Sequence, residues 1–82
     1  MTVSPNPGKG LVSITLSPSS SKEEYIKIVQ ITDALGSVKK AFQYSPGTLK
    51  QTVMLGNLAS GIYLIRVHTG IKWLQTKIIV VD

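Results

Sequence analysis

Apolar and polar residues alternate with a period of two along most of the chain, in short runs separated by turn-forming residues. That is the pattern of half-buried β-strands, and its recurrence predicts an all-β sandwich. From Leu11 to Leu16, Val12, Ile14 and Leu16 share one face while Ser13 and Thr15 share the other. Pro18-Ser19-Ser20-Ser21 then reads as a loop. Tyr25 to Thr32 is β-branched and apolar, as expected of a central strand, but its alternation changes phase. Ile26 and Ile28 fall on one face, Val29 and Ile31 on the other. Either both faces are covered or a bulge near Ile28–Val29 re-aims the side chains.

Asp33-Ala34-Leu35-Gly36 predicts a turn, with the Asp carboxylate bonding nearby amides and Gly36 taking a positive φ. The next strand runs from Val38 to Tyr44, with Val38, Phe42 and Tyr44 in one phase and Lys40 interrupting it, and Ser45-Pro46-Gly47 ends it. Thr52 to Leu55 is a short strand, followed by a loop from Gly56 to Gly61. From Ile62 to Thr69, Tyr63, Ile65 and Val67 face one way and Leu64, Arg66 and His68 the other. Thr69-Gly70 is a tight hairpin signal, and the last strand runs from about Ile71 to Val81. Its Ile78-Ile79-Val80-Val81 stretch is apolar on both faces, and crowded β-branching without a cap argues against helix. With an initial segment around Val3 the total is about seven strands. The expected core is Val12, Ile14, Leu16, Val29, Ile31, Leu58, Ile65 and Val67.

Eighty-two residues allow one small domain, which fills the chain, and a modest two-layer core. The absence of cysteine removes disulfides, thiolate zinc sites and cysteine nucleophiles. No apolar run approaches the roughly 20 residues that span a membrane as a helix, and Met1-Thr2-Val3-Ser4-Pro5 lacks the features of a signal peptide. Nine Lys/Arg against four Asp/Glu give a net charge of +5. The basic residues are scattered, and the five aromatics form no stacking series, so nucleic acid is not the expected partner.

Catalysis and metal binding find no support. His68 is the single histidine, and no strained G-x-S-x-G elbow accompanies it. Glu23 and Glu24 are adjacent, so on an extended chain they point apart. No cofactor is expected. Pro5-Asn6-Pro7-Gly8-Lys9-Gly10 has the wrong spacing for a phosphate loop and instead stiffens an extended segment. Trp73 is either core or an exposed contact on the last strand. Leu58-Ala59-Ser60-Gly61-Ile62-Tyr63 resembles the tyrosine corner of immunoglobulin-like sandwiches, in which the phenol bonds back to upstream backbone. Tyr63 is therefore expected to be buried, with its hydroxyl on the 56–60 stretch. The fold expected is an immunoglobulin-like antiparallel β-sandwich.

Three blocks in order resemble a known family, the type A C-terminal sorting domain of type IX (Por) secretion cargo in Bacteroidetes. They are Ser4-Pro5-Asn6-Pro7, then Val29 through Val38 with Asp33 and Gly36, then Leu58 through Val67 with Gly61 and Tyr63. Gly70 and Lys77-Ile78-Ile79-Val80-Val81 follow at the end. Two departures stand out: Thr69-Gly70 is a short turn for the family, and Asp82 closes the chain where a basic or apolar residue is common.

The resemblance implies a secretion signal on the C-terminal side of a cargo protein in the same chain, passing through the periplasm to the cell surface or outside. The implied partners are an outer-membrane translocon and a sortase-like cysteine peptidase that removes the domain. On this reading the chain is a precursor fragment, Met1 is an expression start, and cleavage falls upstream of Ser4. The resemblance gives Pro5, Asn6, Pro7, Asp33, Gly36, Leu58, Gly61, Tyr63 and Gly70 family-defining, mostly fold-forming roles. It makes Lys77, Ile78, Ile79, Val80 and Val81 the candidate translocon contact. The competing reading is an extracellular immunoglobulin-like accessory module, a spacer or a carbohydrate binder using Trp73, Tyr25 or Tyr44.

Overall fold

The computed structural model describes residues 1–16, 24–56 and 58–81, with the backbone alone for 5–9 and 46. Among them run seven strands: β1 (Thr2–Lys9), β2 (Leu11–Thr15), β3 (Ile26–Asp33), β4 (Val38–Thr48), β5 (Lys50–Met54), β6 (Gly61–His68) and β7 (Trp73–Val80). The loop expected at residues 18–21 and the side chains of Glu23, Asn57 and Asp82 lie outside the described residues.

Two sheets share β1. Thr2, Val3 and Ser4 pair antiparallel with β2, which pairs in turn with β5 over five residues. The register then breaks, and Gly8 meets Val80 of β7 in a parallel contact. The full order is β4-β3-β6-β7-β1-β2-β5. This matches immunoglobulin connectivity: β1, β2 and β5 take the places of A, B and E, and β4, β3, β6 and β7 those of C′, C, F and G. The sandwich departs from purely antiparallel pairing at the Gly8–Val80 contact. Two prolines precede it in β1, and they withhold the amide protons that a longer ladder would need.

One core joins the sheets. Val12, Ile14 and Leu16 with Val53 and Leu55 from one layer meet Ile26, Val29, Ile31, Tyr63, Ile65, Val67, Ile78 and Val80 from the other. Seven of the eight expected core residues are buried; Leu58 is only half-buried, packed against the cluster from its loop. Period-two burial explains the additions, because Ile78 and Val80 alternate with exposed Lys77 and Ile79.

Bulges account for the phase changes. Ile26 and Val29 both face inward although three positions apart, and the β3–β4 register slips between Ile26 and Ile28. On the partner strand Gln43 pairs Ile28 and Thr48 pairs Ile26, leaving residues 44–47 out of register. Ser45-Pro46-Gly47 therefore does not end the strand, as the sequence suggested, but bulges it. Backbone closeness is the reason for glycine there: a Cβ on Gly47 would lie 2.7 Å from the Tyr25 Cβ. A second slip sets Val38 against Thr32 and Lys40 against Ile31, which turns Val38 out to 53% exposure. Val38 thus leaves the phase of Phe42 and Tyr44, both of which pack on the core.

The terminal hairpin and its outward face

The hairpin β6–β7 pairs in continuous register from Gly61–Val80 to His68–Trp73, and its inner face is core. The corner at its start forms as expected. Tyr63 is 7% exposed, and its hydroxyl donates to the Ala59 carbonyl at 2.6 Å. Gly61 opens β6 beside it, and Leu58 donates its amide to the Leu55 carbonyl at 3.3 Å.

Asp33 ends β3. Its Oδ1 accepts from the Leu35 and Ser37 amides at 2.9 Å each, and Gly36, at φ +91°, donates its amide to the Asp33 carbonyl at 3.0 Å. The bond from Ser37, followed by that from Leu35 and the nearby charge of Lys39 at 3.5 Å, outweighs partial desolvation and holds the Asp33 carboxyl below the ordinary carboxylate range.

The β6–β7 connection is longer than the two-residue hairpin expected. It spans Thr69 to Lys72, closed by the Thr69 amide on the Lys72 carbonyl at 2.9 Å, with Gly70 at φ +96°. Thr69 is fully buried, where sequence reasoning gave it only a place in a tight turn. Its hydroxyl meets Glu24 Oε2 at 2.9 Å and accepts from the Lys72 amide at 3.3 Å, while its carbonyl receives the Tyr25 amide at 3.1 Å. Glu24 also pairs with Lys72 at 3.8 Å. The available signal was phase alone: Thr69 continues the inward series Tyr63, Ile65, Val67.

The remaining family-defining residues are scattered. Pro5, Asn6 and Pro7 lie in β1 between its pairing with β2 and the Gly8–Val80 contact with the terminal strand. Of the candidate contact residues, Ile78 (0% exposed) and Val80 (3%) point into the core. Lys77, Ile79 (45%) and Val81 (38%) are exposed. Ile79 stands opposite Ile62, itself 53% exposed, and Lys77 opposite half-buried Leu64. An apolar patch beside a lysine is thus built on the outer face of the hairpin.

Farther along that face Trp73 is 42% exposed, so of its two expected placements the exposed one is found. The Arg66 guanidinium lies 4.6 Å from its ring centroid, and His68 meets it edge-on at 4.9 Å. Tyr25 is 37% exposed, whereas Tyr44 is partly buried, and desolvation pushes its phenol up. The described basic residues are spread over several strands and the β6–β7 connection, with Lys39 and Lys40 together on β4, and Lys39 and Lys72 are in ion pairs.

The strand order, the shared first strand and the tyrosine corner together define an immunoglobulin-like β-sandwich. The family model of the secretion system C-terminal sorting domain matches residues 2–81, and the chain belongs to that family, the type IX sorting domains. Comparison with curated proteins and with solved structures finds no match. The family is not a catalytic one, and its domains belong to secreted proteins destined for the cell surface or the medium.

Proposed function

We propose that this domain carries an N-terminally attached cargo through the type IX outer-membrane translocon, after transit of the periplasm. A sortase-like cysteine peptidase then removes the domain upstream of Ser4. Family membership over nearly the whole chain carries the reading. The exposed Ile62–Ile79 pair, with Lys77 and Val81 beside it, supplies the contact. A folded sandwich gains little from keeping these apolar groups in water, whereas a receptor wall gains by covering them. Ile78 and Val80 serve by holding that strand in place.

The test is a fusion of the domain, with its native upstream residues, behind an exported reporter in a Bacteroidetes host. The reporter is expected in the medium or on the surface, shortened to a C-terminus upstream of Ser4. Periplasmic retention of a folded fusion contradicts the export role; export without shortening contradicts only the peptidase step.

A further inference from the structure

We propose that the Trp73 end of the outer face is a binding site for an acidic saccharide, a uronate-bearing chain. This goes beyond the export reading and does not depend on it. Trp73 is the chain's one tryptophan, and it is held in place from two sides. Arg66 stacks on the ring at 4.6 Å and His68 meets it edge-on at an interplanar angle of 70°. The guanidinium carbon lies over the indole from half-buried Arg66, and Trp73 itself stays 42% exposed.

Polar groups surround that platform in register. Gln30, Arg66 and Gln75 are direct cross-strand neighbours on β3, β6 and β7, about 4.8 Å apart from strand to strand. The next row is Ile28, His68 and Trp73. His68 Nδ1 accepts the Gly70 amide at 3.1 Å, which assigns the ring proton to Nε2 and makes that nitrogen a donor. Neither row contains an acidic residue.

Each part suits one part of a sugar acid. The indole takes the apolar C–H face of the ring, the amides take hydroxyls as donors and acceptors, and the guanidinium takes the carboxylate in a forked pair. A guanidinium over an aromatic face keeps N–H donors at its edge, and a carboxylate can accept from them. Single-stranded nucleic acid fits less well, because one isolated ring offers no series for successive bases.

The experiment titrates the intact 82-residue domain with an oligogalacturonate, read by Trp73 fluorescence and by calorimetry. Saturable binding is expected, with dextran silent, and with polyglutamate and single-stranded DNA weaker by about tenfold or more. Trp73→Ala and Arg66→Gln should each weaken binding about tenfold by calorimetry, and Trp73→Tyr should recover part of the loss. The proposal is overturned if oligogalacturonate does not bind. It is equally overturned if polyglutamate or DNA binds as tightly, or if Trp73→Ala, shown folded by circular dichroism, binds like the parent.

Discussion

The two sheets share one core but turn different faces to water. The outer face of β1, β2 and β5 is a ladder of hydroxyls, with Thr2 opposite Thr15 opposite Lys50, and Ser4 opposite Ser13 opposite Thr52. Among its described side chains, the large exposed apolar groups are one pair, Leu11 opposite Met54. The outer face of β3, β6 and β7 instead carries Ile62 with Ile79 at one end and Arg66, His68 and Trp73 at the other. Inner faces repeat the same β-branched chemistry on both sheets because they solve the same packing problem. The outer faces are free to differ, and both proposed recognition sites fall on the second.

If the inner faces are equivalent, truncation on either should cost alike. Ile14→Ala on β2 and Ile78→Ala on β7 remove fully buried side chains, and each is expected to lower stability by about 2–5 kcal/mol in urea unfolding. A cost confined to one of them would break the equivalence. Tyr63→Phe comes next, at about 1–3 kcal/mol, because it leaves the Ala59 carbonyl without its partner. An unfolding midpoint equal to the parent's would remove the corner from the account.

The Asp33 turn gives a pH signature. Its carboxyl is held low in the folded state, so the unfolded chain takes up its proton first on acidification. The stabilisation is complete above the ordinary carboxylate range and is lost as pH falls through the depressed folded value. Asp33→Ala should therefore flatten the acid limb of a stability–pH profile, and an unchanged limb would rule out the turn as its source. The smallest stability effect belongs to the outer faces. Leu11→Asp and Ile79→Asp, 50% and 45% exposed, should each shift stability by about 0.5 kcal/mol or less.

Features closed within a few residues were legible in the sequence. The Asp33 turn spans four positions and the Tyr63 corner another four, so residue type and spacing determine both. Period two likewise located most of the core. What escaped depends on distant partners. Thr69 is a hub because Glu24, 45 positions away, reaches its hydroxyl. Val38 is exposed because the slip against Thr32 reverses its phase, and nothing local to Val38 announces that. The division of β1 between two sheets is written in its pairing with β7, which no alternation within β1 could reveal. The outward set was half legible: the apolar terminal run was visible, but only the fold separates Ile79 and Val81 from buried Ile78 and Val80.

The central claim is that the outer face of the terminal hairpin, rather than apolar exposure in general, is what the export machinery reads. Leu11→Asp and Ile79→Asp make the same chemical change at similar exposure on opposite sheets, which makes them a matched pair. The decisive measurement is the fraction of a fused reporter exported by a type IX host for each variant, with both proteins shown to be folded by circular dichroism. The account predicts parental export with Leu11→Asp and periplasmic retention with Ile79→Asp. Parental export by both variants, or equal loss by both, would contradict it.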